Sequence, residues 1–184
     1  AGPSWRSGVS VGLTPAGVRA LLDTEAATVA GGAFSLDGDL GRLADQLAEL
    51  PGWPSRVRAL NAVFTTRLGS GGAARIVDRA WWRLQEPAGA RVGSLAAELG
   101  VSRRYLELEF RRRIGLSPKT VARVARLQRA VGALTAPDAT LGDAAAVGFA
   151  DQSHLSRETR AMAGVTPGEL RAVVRHRPLV PAGR

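Results

Sequence analysis

The chain of 184 residues has no cysteine, one methionine, one tyrosine, two histidines and a single lysine, Lys119. Without cysteine there is no disulfide framework and no thiolate metal site, a pattern that fits an intracellular, cytoplasmic location. Neither histidine, His154 or His176, has a partner at triad or metal-ligand spacing. GSGGAA (69–74) lacks the strand, the following helix and the lysine of a phosphate loop. Asp37 and Asp39 in DGD lack the further acidic ligands and terminal Glu of a calcium loop, and read as a helix-entry turn. The expectation is therefore no enzyme, no metal and no cofactor. No apolar run approaches the ~18 residues of a membrane span, and no charged-then-apolar leader is present, so neither a span nor a signal peptide is expected. The first residue is Ala1 rather than Met, which fits a trimmed chain or a fragment of a longer protein.

What is present in excess is arginine, and it is unevenly placed. Residues 1–74 carry six Arg against six acidic residues, whereas 75–184 carry 19 Lys and Arg against 10, so the whole net charge of +9 lies in the second part. A GC-rich genome explains Arg in place of Lys but not this confinement. A polyanion partner explains it, and double-stranded DNA is the expected one.

The second part also repeats itself. SRRYLELEFRRRIGLSP (102–118) returns 49 residues later as DQSHLSRETRAMAGVTP (151–167). The register places Leu106 on Leu155, Glu109 on Glu158, Arg111 on Arg160, Gly115 on Gly164 and Pro118 on Pro167. Each copy begins on an N-cap residue, Ser102 or Asp151, and stops at a glycine suited to a left-handed cap. SLAAELG (94–100) and DAAAVG (143–148) precede them, each closed by glycine. Helix, glycine turn, helix is the helix-turn-helix pattern, whose second helix commonly enters the major groove of DNA. Two copies in register are far more specific than one.

Within the first copy Leu106 and Phe110 define the buried face, which leaves Arg104, Leu108 and Arg111 opposite, with Glu107 to one side and Arg103 at the helix start. In the second, Leu155, Thr159 and Met162 lie inward. Ser153, Ser156, Arg157 and Arg160 lie outward, with Gln152 at the N-terminus and His154 on the surface near phosphate. Arg pairs with guanine and Gln with adenine through two hydrogen bonds each, so these are the candidate DNA contacts. The alternative is a solvated charged face. Between the copies, PKTVARVARLQRAVGAL (118–134) reads as one stiff helix. Val121, Val124, Ala125, Gln128 and Val131 are taken as its buried face, and Lys119, Arg123 and Arg126 as a phosphate-contacting face. About 17 residues span about 25 Å, which with the width of each unit matches the ~34 Å between major-groove segments on one DNA face.

The first part predicts a short strand around Val9–Leu13, a two-turn helix opened by Thr14 and Pro15, and a glycine-rich irregular stretch EAATVAGGAFSLDGDLG. A pair of helices follows, with stripes Leu40, Leu43, Leu47, Leu50 and Val57, Leu60, Phe64, Leu68. Those stripes either pack on each other and the preceding helix or, in the sharper alternative, form a homodimer surface over residues 39–68. After GSGGAA, helix ARIVDRAWWRLQE turns Ile76, Ala80 and Leu84 inward, and Trp81 or Trp82 closes the core. The basic tail VVRHRPLVPAGR is expected to fray and to touch phosphate.

LAAELGVSRRYLELEFRRRIGLSPK, RLQRAV, GFADQSHLSR and GVTPGEL together resemble the AraC-type (AraC/XylS family) transcriptional regulators, over about residues 75–172. Gly100 to Leu106 is six residues and Gly148 to Leu155 seven, the one-residue difference that family shows. The resemblance implies an all-α fold with two helix-turn-helix units on a linker helix, a seven-helix bundle over 73–184. Residues 1–72, with their one short strand, resemble a sensor-domain remnant and helical connector. It further implies a cytoplasmic, nucleoid-associated regulator that reads promoter DNA and meets RNA polymerase. Base contacts are implied at Arg104, Glu107 and Leu108 and at Gln152, Ser153 and Arg157. Thr159 stands where members often carry an aromatic, which predicts a looser second core. Asp143 stands opposite Leu95, which predicts a shifted or short helix. The competing function is a helical protein-interaction module without specific DNA readout.

Overall fold

The computed structural model describes residues 9–33, 35–68, 75–87 and 89–176, and side chains up to 173. Among them are eleven helices and no strand. By packing, the chain forms two compact units, 1–78 with 111–115 and 79–110 with 116–184.

The first unit opens with α1 (Pro15–Leu22), whose start is set as the sequence suggests. The Thr14 hydroxyl accepts from Gly17 N at 3.0 Å and Pro15 occupies the first turn, where its missing N–H costs nothing. The Ala-rich stretch expected to be irregular contributes a single turn, α2 (Ala26–Val29), ended by Gly31 and Gly32. α3 (Gly38–Glu49) and α4 (Gly52–Leu68) follow, and α4 packs on both α1 and α3. Leu21, Leu40 and Leu43 are buried, but α4 buries no residue. Val57, Leu60 and Phe64 are half-buried and Leu68 is exposed. Arg67 ties α4 to α1 through the Leu21 carbonyl at 2.9 Å. The strand expected over Val9–Leu13 does not form. A lone extended segment has no ladder to join, and Val9, Val11 and Leu13 instead line an apolar groove of about 280 Å³ beside Leu40, Leu43, Leu60 and Phe64.

The stretch 69–74, where composition places a domain boundary, and the tail beyond 176 lie outside the described residues. Residues 75–176 hold the seven helices expected there: α5 (Ile76–Gln85), α6 (Val92–Glu98), α7 (Arg103–Ile114), α8 (Pro118–Ala133), α9 (Leu141–Ala146), α10 (Gln152–Ala163) and α11 (Pro167–His176). On α5, Val77, Ala80 and Leu84 are buried, Ile76 and Trp81 are half-buried, and Trp82 is 59% exposed. The helix thus turns Val77, not Ile76, fully inward.

The two repeats agree down to single hydrogen bonds. α7 and α10 are each 12 residues long and superpose in register at the 49-residue offset. Tyr105 N bonds the Ser102 hydroxyl at 3.1 Å, and His154 N bonds the Asp151 carboxylate at 2.6 Å. At the other end Gly115 N bonds Arg111 O at 3.1 Å and Gly164 N bonds Arg160 O at 3.0 Å, with φ of 84° and 73°. Those left-handed angles favour glycine.

The repeats differ where the sequence says they should. α9 starts one position later than α6 because Asp143 accepts from the Thr140 N–H at 2.8 Å in a capping box, while the equivalent Leu95 is wholly buried. Ala144 and Ala145 take the burial instead, in a cluster with Ala130, Leu134 and Leu155. Thr159, at the Phe110 position, is buried with its hydroxyl bonded to Leu155 O at 2.8 Å. Phe149, at the position of Val101, packs against that cluster. The second core therefore draws its aromatic volume from the turn before the helix rather than from the helix itself.

α8 departs from a one-faced helix. Its first half buries Pro118, Val121 and Ala125, and its second half turns Leu127, Ala130 and Leu134 to the core. At 100° per residue these stripes point roughly 180° apart. Extending the first stripe is what placed Gln128 inward; it is exposed. Removing the α9 cap tests this local account: Thr140→Ala is expected to lower stability in urea unfolding by about 1 kcal/mol, and an unchanged midpoint would contradict it.

Candidate nucleic-acid interface

Burial of Leu106 and Phe110 on α7 fixes which residues the helix presents. Arg104 and Arg111 are exposed, and Leu108 is 57% exposed, an unusual apolar side chain between arginines. Arg103 and Glu107 form an ion pair one turn apart at 3.0 Å, on the flank of that surface. Tyr105 is also exposed.

On α10 the buried pair is Leu155 and Thr159, which leaves Gln152, Ser153, Arg157 and Arg160 exposed and Ser156 half-buried. Gln152 sits beside the start of α9, where a Cβ on Gly142 would lie 3.4 Å from its amide nitrogen. Arg104 on α7 and Arg157 on α10 are both exposed. His154 is half-buried and committed locally. Its Nδ1 accepts from Ala150 N at 3.3 Å and its ring stands edge-on to Phe149 at 5.4 Å.

The residues grouped on the linker helix behave unlike one another. Lys119 is exposed at the start of α8. Arg123 forms a two-pronged ion pair with Glu158 of α10, Nε to Oε2 at 2.8 Å and Nη2 to Oε1 at 3.1 Å. Arg126 lays its stem against Gly148, where a Cβ would meet its Cγ at 3.2 Å. Its guanidinium stands 5.6 Å from the Phe149 ring centre and donates to Gly148 O at 3.4 Å. Both arginines lie on the side that α8 turns toward the second core in its latter half. Arg129, on the other side, donates to the Gln85 carbonyl of α5 at 3.0 Å. Glu158 and Phe149 are the partners that a one-faced reading of α8 missed, and the change of stripe from 118, 121, 125 to 127, 130, 134 was the available signal.

The Arg123 guanidinium, by hydrogen bond first, holds the Glu158 carboxyl below the usual carboxylate range, and Glu158 in turn raises Arg123. Thr140, through its backbone N–H first, lowers Asp143, and Thr166 likewise lowers Glu169 at the start of α11. Among the described residues no group of three or more His, Asp or Glu side chains is placed to hold a metal ion. No helix among them is long and apolar enough to cross a membrane.

Residues 95–172 match the model of a family described as a helix-turn-helix domain. A solved structure is also similar, a transcriptional regulator from Chromobacterium violaceum of the AraC-type DNA-binding domain-containing proteins. It is 28% identical, with 56% of this chain and 91% of that chain covered and a TM-score of 0.47. No curated protein matches.

A carboxyl depressed by folding stabilises fully above the ordinary glutamate range and loses that contribution as pH falls through its lower folded value. Glu158→Gln is therefore expected to cost ~0.5–1 kcal/mol at neutral pH and to converge with the parent protein as pH falls through the lowered Glu158 value. Denaturation followed from neutral into strongly acid pH checks this. An equal deficit throughout would remove the ion pair from the explanation.

Proposed function

We propose that the protein, whose residues 95–172 match a helix-turn-helix domain family, is a sequence-specific DNA-binding transcriptional regulator of the AraC type reading two adjacent major-groove segments. The observation that carries this reading is the register of α7 and α10. Two 12-residue helices have equivalent caps, equivalent buried pairs and arginines left exposed on each. A domain built from 73–184 would present them, with 1–72 as a separate connector.

In this reading the two heads recognise bases differently. On α7, Arg104 and Arg111 supply donors and Leu108 meets the methyl group of a thymine, with Arg103 and Glu107 at the flank. On α10, Gln152 and Arg157 supply two-pronged contacts to adenine and guanine, helped by Ser153, Ser156 and Arg160, while His154 lies at the phosphate margin. Lys119, exposed at the start of α8, contacts phosphate. The excess of positive charge in this part of the chain supplies the sequence-independent share of binding. RNA polymerase is the proposed protein partner, and the cytoplasmic nucleoid the place of action. A homodimer contact falls on residues 39–68, where α4 buries nothing and Trp53 and Leu68 stay exposed.

A duplex selected from a randomised pool with the full chain provides the test. Affinity is expected to fall steeply with salt while preference over random duplex persists. Arg157→Ala is expected to weaken the selected duplex by about 1–3 kcal/mol and leave random duplex nearly unchanged. Equal loss on both would reduce Arg157 to a phosphate contact, and no preference by the parent chain would defeat the reading.

A further inference from the structure

Arg123 and Arg126 have the positions expected of phosphate contacts on a linker helix, yet both are engaged within the protein. Arg123 closes a planar fork on both oxygens of Glu158, with side chains only 34% and 22% exposed. A fork of this kind fixes orientation as well as distance, which a lone Lys or Glu contact does not. Glu158 lies one residue beyond Arg157 and one before the buried Thr159, on the edge between the core stripe of α10 and its exposed face. Rotation of α10 about its axis would carry Glu158 away from Arg123 and swing Ser153, Arg157 and Arg160 by the same angle. Arg126 pins the other end of the same unit. Its stem rests on Gly148, whose φ of 139° admits no side chain easily, and its guanidinium meets the Phe149 ring.

We infer that Arg123 and Glu158 are positioning residues, an ionic clamp between α8 and α10 that sets the angle at which the second helix meets DNA. This rests on the DNA-reading function proposed above. On the opposite side of α8, Arg129 takes the Gln85 carbonyl of α5 rather than a carboxylate fork. The second head is thus held by side-chain charge at a defined rotation, and its readout depends on two residues that touch no base.

The clamp and a phosphate contact predict opposite signs for one substitution. If Glu158 merely neutralised a phosphate-binding Arg123, Glu158→Gln would free the guanidinium and tighten DNA. With the clamp, Glu158→Gln and Arg123→Ala each weaken the selected duplex by about tenfold, the double variant is no weaker than either, and random duplex changes less than twofold. The slope of log affinity against log salt stays unchanged, whereas loss of a phosphate contact lowers it by about one. The reversed pair Arg123→Glu with Glu158→Arg recovers most of the loss. Tightening by Glu158→Gln, or equal losses on both duplexes with a shallower salt slope, would overturn the proposal. Amide hydrogen exchange of the full chain without DNA separates the two readings. Faster exchange confined to 150–163 in Arg123→Ala is expected. Exchange unchanged there would sink the clamp even if the parent chain reads DNA, and absence of duplex preference in the parent chain would sink the reading while this exchange still decides the clamp.

Discussion

The second unit depends on a reversal of face along α8. A helix that buries Val121 and Ala125 on one side and Ala130 and Leu134 nearly opposite has apolar material on both sides at different heights. Each half is amphipathic by itself, but the two apolar faces are opposed, so no single stripe runs the length of the helix. The polar residues follow the same division. Arg123 and Arg126 turn toward α10 and the α9–α10 turn, and Arg129 turns toward the end of α5. Because α8 is a single helix of 16 residues, its length and phase set the axial separation and rotation of these attachments together.

Most of this part of the chain was legible from local chemistry. Ser102, Asp151, Gly115 and Gly164 mark helix ends through hydrogen bonds that reach no farther than four residues, so sequence spacing alone locates them. Leu106 with Phe110, and Leu155 with Thr159, lie one turn apart and identify the buried face without knowledge of any other element. The exposure of Arg104, Arg111, Arg157 and Arg160 follows as the complement. The shifted start of α9 was also readable, because an Asp opposite a buried Leu has to find a donor, and a Thr three residues earlier supplies one.

What escaped depends on tertiary partners. Gln128 was placed inward by carrying one stripe through a helix that changes face. The engagement of Arg123 and Arg126 requires Glu158 and Gly148 from elements 22 to 35 residues away. Trp81 and Trp82 are adjacent and lie about 100° apart on a helix, so composition could not choose the one left exposed. The Val9–Leu13 strand failed for want of a second strand, while the apolar residues that suggested it were put to another use beside α3 and α4. Thr159 predicted a loose core only because the compensating ring, Phe149, enters from outside the helix.

In the proposed function α7 and α10 are two reading heads on one rod. Hydroxyl-radical and purine-methylation footprinting of the full chain on a selected duplex tests this arrangement. Two protected major-groove segments on one face of the duplex are expected, about 10 base pairs apart, with substitutions on α7 erasing one and substitutions on α10 the other. Protection of a single segment, or erasure of both by substitutions on either helix alone, would contradict it.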